Sequence, residues 1–410
     1  MSNSPSTINH PLSTELISNE IKFLIACCQT DPSKDDINFI QNNLSTIDHQ
    51  LLTNMASRHG VLPLVYKTIK KIIENNSYLS SLSTERLTLH SALLNELKAH
   101  YKSIAKRNML MSAELIHIMK LSKENNIEAL AFKGPTLSQT AYGDITLRQF
   151  GDLDILIKRS DISPMIDLMI ADGYVPELDL DTRMKDTFLN ALNVIGFYKS
   201  TSNILIEIHW ELLSKNYAIN WDENVLWSQK RESIIINNNS IHVLPYEEQI
   251  LYLCTHGSKH LFERLEWICD IDRSIKVNPA INWQYLLNEA EKRGIKRMLY
   301  LGLELCRHFF KLDLPEFIQE NIKEDRVLPG LISKVIKANL SEPTKGGKDY
   351  SYFMLIWDMR ENLSDKLRFT WYAFFAPQFD DFTFIQLPKY LAFLYPLVRQ
   401  FRLVRKYIQR

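Results

Sequence analysis

The chain has 410 residues, and its 48 Lys and Arg balance its 48 Asp and Glu. A formal net charge of zero argues against a protein that binds nucleic acid through bulk charge, although a local basic groove stays open. The low number of glycines, 12, favours helices over a long all-β fold. The five cysteines suggest no disulfide framework, and no signal peptide or membrane-spanning stretch is recognisable, so a cytoplasmic protein is expected.

The pattern of apolar residues divides the chain into three parts. Spacings of three to four predict helices up to residue 125, and the pattern changes at Ile127. Residues 127–212 show strand and helix signals in the order β-α-β-α-β-β. From Pro245 the pattern returns to helix, with residues 341–385 unassigned and a helical, basic tail. We therefore predict an α+β fold, with a small mixed β-sheet core (126–244) between helical regions 1–125 and 245–410.

The first unusual strand is FGDLDILI, residues 150–157. Aspartate is depleted in strands, yet Asp152 and Asp154 stand two positions apart and therefore share one face. Leu153 and Ile155 point to the opposite face, into a core. Like charges on one face repel each other, and a divalent cation such as Mg²⁺ would remove the repulsion. For the pair by itself, a solvated strand edge followed by an N-cap for the next helix is the favoured interpretation.

A second strand, ILIEIHW at residues 204–210, contains another acid. Glu207 and His209 share the face opposite to the isoleucines. If this strand lies beside the first, Glu207 completes a cluster of three carboxylates. Two metal ions held there would clamp the attacking and leaving oxygens of a phosphoryl transfer. The alternatives are an exposed glutamate on an edge strand and a histidine with a purely structural role.

The turn Phe132-Lys133-Gly134-Pro135-Thr136 is a candidate phosphate site. Glycine lets the backbone approach a ligand closely, and Pro-Thr opens a helix whose free N–H groups can face an anion. Lys133 and Arg148 offer positive charge for phosphate. For the turn taken alone, a plain strand-to-helix turn with two solvated cations is the favoured interpretation.

Together these motifs resemble the nucleotidyltransferase superfamily that includes DNA polymerase β. They are more closely similar to a bacterial family of uncharacterised nucleotidyltransferases with the signature L-K-G…Y…R…D-[IL]-D-[IL]-L. The matching residues are Lys133, Gly134, Tyr142, Arg148, Asp152 and Asp154, followed by Glu207-Ile208-His209-Trp210. Weaker similarity extends the resemblance to roughly residues 55–275. One departure is Gly134-Pro135, where better-known members have Gly-Ser; Thr136 is the candidate replacement for the serine.

The resemblance implies transfer of a nucleoside monophosphate from an NTP, such as ATP, to an acceptor, with release of pyrophosphate. It implies two Mg²⁺ ions, with Mn²⁺ as the alternative. The catalytic and metal-binding residues would be Asp152, Asp154 and Glu207. The nucleotide-binding residues would be Lys133, Gly134, Thr136, Arg148 and His209. The acceptor stays open between a protein, a small molecule and RNA, the last as in toxins that modify tRNA. A non-catalytic nucleotide-binding protein and another two-metal phosphotransfer enzyme are the competing hypotheses.

Three further patterns have competing interpretations. Cys254, His256, His260 and Cys269 allow a zinc site, but contact of His256 or Lys259 with substrate, or a hydrogen bond from His256 to Asp270, is favoured. Lys98, Lys102 and Lys106 form a basic stripe, which we interpret as a solvated face rather than an acceptor groove. The tail from residue 386 has six cations and no acid. A helix docked on its own domain, with its basic side in water, is favoured over attachment to a membrane surface.

Overall fold

The computed structural model describes residues 17–80, 82–177, 189–199, 203–228, 232–339 and 348–408. It shows the predicted α+β fold, in which helices flank a mixed sheet. The helices before the sheet are α1 (Asn19–Cys28), α2 (Lys34–Asn43), α3 (His49–Arg58), α4 (Leu62–Ile73), α5 (Asn76–Leu79) and α6 (Thr84–Glu124).

Helix α6 is one continuous helix of 41 residues, where the sequence allowed one or two. Ser83 caps its start, because its side chain accepts a hydrogen bond from the Arg86 N–H. The first half of α6 places Leu93 and Leu97 in a core shared with α4. The second half buries Met111 and other apolar residues beneath the sheet. The helix therefore connects the N-terminal helices to the face of the sheet that carries Leu153 and Ile155.

The sheet contains seven strands in the order β3-β4-β5-β2-β1-β7-β6 within the described part of the chain. Its strands and intervening helices are β1 (Ala129–Ala131), α7 (Gly134–Tyr142), β2 (Asp152–Ile157), α8 (Ile162–Ala171), β3 (Val175–Pro176), β4 (Val194–Tyr198), β5 (Leu205–His209), α9 (Glu223–Ser228), β6 (Glu232–Ile236) and β7 (Asn239–Val243). Strand β2 lies at the centre, parallel to β5 and antiparallel to β1.

The β6–β7 hairpin is an addition to the predicted order of elements. Asn237 and Asn238 form its turn with φ angles of 47° and 62°. Such left-handed residues suit the tight turns whose twist matches that of the two strands. The hairpin extends the sheet beyond β1, because β7 pairs with β1 in parallel.

The two faces of the sheet belong to different cores. Leu153 and Ile155 pack with α6 and α8, as predicted for the face opposite the acids. Leu130, Phe132 and Leu156 on the other face join a larger core. That core includes residues from both ends of the chain, between positions 17 and 97 and between 212 and 369. The division into three domains remains a prediction. Helices from before and after the sheet share this core and cover the acidic face of the sheet.

The helices after the sheet are α10 (Tyr246–Lys259), α11 (Leu265–Val277), α12 (Trp283–Lys292), α13 (Lys296–Phe310), α14 (Glu316–Glu324), α15 (Leu328–Asn339), α16 (Lys348–Asp358), α17 (Leu363–Phe375), α18 (Phe379–Phe384) and α19 (Tyr395–Ile408). The unassigned stretch 341–385 therefore contains α16, α17 and α18 in its described part, and residues 341–347 lie outside the described residues. No helix among the described residues combines the length and the apolar character needed to cross a membrane.

The C-terminal helix α19 is docked differently from the prediction. Arg399 is only 4% exposed, and both it and Arg402 form ion pairs with Asp381. The expectation that the basic side of the helix lies in water is wrong for these two arginines. Asp381 stands in the first turn of α18, and its buried carboxylate requires a cationic partner.

Candidate active site

The acidic residues of β2 and β5 meet in the sheet. The parallel register places Asp154 directly opposite Glu207, and Leu156 directly opposite His209. Because neighbouring residues in register share a face, Asp152, Asp154 and Glu207 lie on the same side of the sheet. The predicted cluster of three carboxylates depends on this pairing.

The turn after β1 fixes the position of Lys133. Gly134 has a φ of +52°, and a Cβ atom at this position would lie 3.3 Å from the carbonyl oxygen of Asp152. Glycine therefore permits both the left-handed backbone and the close approach to β2. The Phe132 N–H also donates to the Asp154 carbonyl, at 3.3 Å. The turn carrying Lys133 is thus held against the strand that carries the acids.

Asp154 is the centre of a buried charge network. Its Oδ1 lies 3.1 Å from Lys133 Nζ and 3.3 Å from His209 Nε2. His209 Nε2 also lies 3.2 Å from Glu207 Oε2. Burial opposes charge on Asp154, but Lys133 and His209 hold the pKa of this carboxyl well below its usual value. Asp154 is therefore ionised at neutral pH.

The same network favours the charged forms of Lys133 and His209. Burial disfavours the charge on Lys133, but Asp154 raises the pKa of the amine above its usual value. The Lys133 Nζ also lies 5.4 Å from the centre of the Tyr252 ring, close enough for a cation–π contact. Burial likewise opposes charge on His209, but hydrogen bonds with Asp154 and Glu207 raise its pKa.

The donor set fits a divalent cation. Asp154 Oδ2 is buried and has no hydrogen-bond partner. Burial, followed by the charges of Asp154 and Glu207, raises the pKa of Asp152, so the acidic cluster is short of positive charge. Ligand atoms of Asp154, Glu207 and His209 lie within 4.8 Å of one another. A hard cation such as Mg²⁺ takes carboxylate oxygens and would relieve this repulsion.

Arg148 reaches this region but has a protein partner. Its Nε and Nη2 donate to the Asp270 carboxylate at 2.8 and 2.9 Å, and Tyr142 Oη donates to the same carboxylate at 2.7 Å. Asp270 therefore pairs with Arg148 and Tyr142 rather than with His256, whose Nδ1 faces Tyr252 Oη at 3.4 Å. The phosphate-binding role of Arg148 stays a prediction.

Thr136 is not brought to the carboxylates. Its hydroxyl donates to the Lys133 carbonyl at 2.7 Å, closing the first turn of α7. The side chain lines a separate cavity beside β6 and α10, together with Tyr246 and Gln249. The structure thus gives Thr136 a local role in the helix start, and its proposed phosphate contact remains a prediction.

A polar cleft of about 430 Å³ opens beside the acids. It is lined by the predicted site residues Lys133, Arg148 and Asp152. It is also lined by Arg107, Arg264 and Trp267, to which the sequence analysis assigned no role in the site. In the sequence, Arg264 and Trp267 were marked only by weak similarity to the family, and Arg107 only by its position beside the basic stripe. The four cations outnumber the two acids of the lining, Asp152 and Glu266, which makes the cleft suitable for an anionic ligand.

Of Arg107 and the three lysines of the predicted basic stripe, which are all exposed on α6, Arg107 alone borders the cleft. Its Nη2 donates to the Gly151 carbonyl at 3.3 Å, immediately before Asp152. Lys98, Lys102 and Lys106 are exposed on α6, consistent with a solvated face. Arg107, which follows the stripe on α6, therefore contributes to the site, whereas the three lysines do not line the cleft.

The histidines of α10 form an aromatic cluster instead of a zinc site. The His256 and His260 ring centres lie 4.8 Å apart, and both rings contact Trp267. Within the described ranges, the group of residues spaced to hold a metal is the one formed by Asp154, Glu207 and His209. Lys259 directly precedes His260 in the chain. Burial, followed by the charge of Lys133, lowers the pKa of the Lys259 amine to about 8.

A mixed sheet with an acidic pair on its central strand and a third acid on the neighbouring strand defines the chain as nucleotidyltransferase-like. A family model described as "Uncharacterised nucleotidyltransferase" matches residues 45–311, more than half of the chain. The chain belongs to this family. The match includes every residue of the candidate site and ends before α14. No curated protein matches the chain.

Proposed function

We propose that the protein is a metal-dependent enzyme that transfers a nucleoside monophosphate from an NTP to an acceptor and releases pyrophosphate. The observation that carries this proposal is the register of β2 and β5, which sets Asp154 opposite Glu207 with Asp152 on the same face. Asp154 and Glu207, which lie within ligand distance of each other, and Asp152 on the same face suit divalent cations, and the adjoining cleft, where basic residues outnumber acids, suits a triphosphate.

Asp152, Asp154 and Glu207 would hold the ions, which would supply positive charge for the phosphates and for the acceptor oxygen. Lys133 is positioned to balance negative charge as it moves to the leaving pyrophosphate, since its amine is buried beside Asp154. Glu207 is half-buried and can take the proton of the acceptor hydroxyl at its carboxylate. The His209 ring lies within hydrogen-bond distance of Asp154 and Glu207 and can orient both carboxylates.

The two sides of the acidic cluster differ, and this difference supports an orientation for the substrates. Asp152 borders the cleft that contains Arg107, Arg148 and Trp267, where we place the triphosphate and its base. Glu207 lies on the neighbouring strand β5, so we place the acceptor on that side. The acceptor itself stays open between a protein, a small molecule and RNA.

The experiment is transfer of label in the presence of Mg²⁺ and a cell extract divided into protein, RNA and small-molecule fractions. Label from [α-³²P]ATP, and not from [γ-³²P]ATP, should appear in one fraction, and the other three NTPs should be tested in the same way. Label from the γ position would instead identify a kinase. Failure to bind Mg²⁺-NTP by calorimetry would overturn the proposal, and binding without transfer of label would favour a non-catalytic nucleotide-binding protein.

Asp152→Asn is the sharpest variant for this assay. Asp152 is only partly buried, so the change should not unfold the chain, whereas Asp154 neutralises buried Lys133. We expect Asp152→Asn to lose transfer. Asp167→Asn, on the exposed face of α8, is the matched control and should retain it. Normal turnover by Asp152→Asn would contradict the assignment of the site.

A further inference from the structure

Helix α17 leaves a row of large apolar side chains in solvent. Leu363, Leu367 and Trp371 follow at intervals of four residues, and Trp371 is 63% exposed. Trp371 stacks on Phe375, with their ring centres 4.5 Å apart. Positions spaced by four share one face of a helix, so the row is a continuous apolar strip.

Helix α19 continues this pattern. Leu397, Phe401 and Val404 are exposed along one side of the helix, and Phe401 is 63% exposed. Phe393, just before the helix, is 72% exposed. A surface helix of a globular protein normally buries its apolar side and exposes its charges. Here Arg399 is buried and the apolar side faces out.

The two helices are joined by hydrogen bonds from the N-terminal half of α19 to the C-terminal end of α17. Arg399 Nη2 donates to the Ala373 carbonyl at 2.5 Å, and Gln400 donates to the Phe374 carbonyl. The Phe384 ring packs near Phe401 with the ring centres 6.2 Å apart. We call residues 363–408 the C-terminal apolar surface. Its exposed large apolar residues are Leu363, Leu367, Trp371, Phe374, Phe375, Phe384, Ile385, Tyr390, Phe393, Leu397, Phe401 and Val404.

The same segment is strongly basic, although the whole chain is neutral. Residues 363–410 contain eight Lys or Arg and three Asp, which is a net charge of +5 and leaves −5 for residues 1–362. The three aspartates are each paired with an arginine of the segment, as Asp365 with Arg368, Asp380 with Arg402, and Asp381 with Arg399 and Arg402. Exposed Arg405 lies over the Phe384 ring at 5.8 Å. These pairs account for all three aspartates, so the segment keeps a surplus of positive charge, and exposed Arg405 carries part of it beside the apolar surface.

We propose that the C-terminal apolar surface docks the protein on an anionic lipid bilayer. Exposed Trp and Tyr, aliphatic side chains and a surplus of Lys and Arg are the features that place a helix in the bilayer interface. A second copy of the chain would bring two segments of like charge together. Nucleic acid would use the cations and aromatic rings, but it offers no apolar phase for Leu363, Leu367, Leu397 and Val404.

The surface lies outside the part of the chain that matches the nucleotidyltransferase family. Docking does not require the proposed transfer reaction and is testable without it. The interaction is peripheral, since no described helix is long and apolar enough to cross a membrane. Its strength should depend both on buried apolar area and on the attraction between exposed basic residues and anionic headgroups.

The test is co-sedimentation of the full chain with phosphatidylcholine vesicles, with and without about 30 mol% phosphatidylglycerol. We expect binding to the anionic vesicles, at least about tenfold weaker binding to the neutral ones, and loss of binding as salt rises from about 50 to 500 mM. Equal sedimentation with both kinds of vesicle, or with neither, would overturn the proposal.

The decisive variant is Phe393→Asp/Phe401→Asp, which places two charges on the apolar surface. Its affinity for anionic vesicles should fall by at least about tenfold with an unchanged unfolding temperature. Val175→Asp/Ile235→Asp is the matched control, because both residues are exposed apolar positions on edge strands, and it should bind as the wild type does. Unchanged vesicle binding by Phe393→Asp/Phe401→Asp would contradict the proposal. A dimer that this variant abolishes, without vesicle binding by the wild type, would assign the surface to a second copy.

Discussion

Arg148 and Asp270 form a buried two-point ion pair that joins the loop before β2 to helix α11. The guanidinium donates through Nε and Nη2, and the side chain of Arg148 is only 6% exposed. Removing one partner of such a pair leaves an uncompensated buried charge, which costs about 3–5 kcal/mol. The pair therefore anchors the loop that leads into Asp152.

The first prediction is a double-mutant cycle on this pair. Asp270→Leu alone should lower the free energy of unfolding by about 3–5 kcal/mol, measured in urea. Arg148→Met/Asp270→Leu should recover more than half of that loss, because no unpaired charge remains. Additive losses in the double variant would show that the two side chains are not coupled.

The same double variant tests the proposed phosphate role of Arg148. Once folding is restored, methionine offers no donor to a phosphate, so calorimetry should show Mg²⁺-ATP affinity reduced by about tenfold or more. Wild-type affinity in a folded double variant would restrict Arg148 to positioning the loop.

Glu207→Gln should separate chemistry from nucleotide binding. Because Glu207 lies on the acceptor side in our proposal, the variant should keep its Mg²⁺-ATP affinity within about threefold and lose transfer by at least about a hundredfold, measured with [α-³²P]ATP. Glu320→Gln, exposed on α14, is the control and should match the wild type in both measurements. Wild-type turnover in Glu207→Gln would remove Glu207 from the mechanism.

Trp267 should contribute to nucleotide affinity through its ring. It lines the cationic cleft and is held from behind by His256 and His260. A stacked base is worth about 1–3 kcal/mol, so Trp267→Ala should weaken Mg²⁺-ATP binding about five- to a hundredfold, and Trp267→Phe much less. Trp371→Ala, outside the cleft, should bind as the wild type does. If Trp267→Ala binds Mg²⁺-ATP normally, the base lies elsewhere.

His260 should make the fold sensitive to acid. Burial, followed by the charges of Lys259 and Lys133, lowers the pKa of His260 to about 4, below its ordinary value of 6.5. Between these values the unfolded chain binds more protons than the folded chain, so stability should fall as the pH is lowered. Between pH 7 and pH 4, the free energy of unfolding of the wild type, measured in urea, should fall by on the order of 1–3 kcal/mol more than that of His260→Gln. His100→Gln, exposed on α6, should keep the wild-type slope, and an equal slope in His260→Gln would contradict the prediction.

Local patterns in the sequence were sufficient for much of the site. Alternation of side chains placed Asp152 with Asp154 and Glu207 with His209, because the period of a strand is two residues. The β6–β7 hairpin also had a local signal, in the isoleucines that flank Asn237 and Asn238, which could have been recognised.

Contacts between distant residues had no such signal. Arg148 and Asp270 are 122 positions apart, and either could have faced a ligand instead. By its sequence, Arg399 is an ordinary basic residue of an amphipathic helix, and only its ion pair with Asp381 explains why it is buried. Charge and periodicity do not specify which partner a long polar side chain will find.

The sequence by itself determined most elements of this protein, the faces of its acidic strands and the candidate metal ligands, because these follow from local periodicity and side-chain chemistry. Tertiary structure decided that β5 lies parallel to β2, so that Glu207 stands opposite Asp154. It also decided that Asp270 holds Arg148 and that the apolar side of α19 faces outward. Each of these depends on the packing of segments far apart in the chain, where burial forces every charge to find a partner.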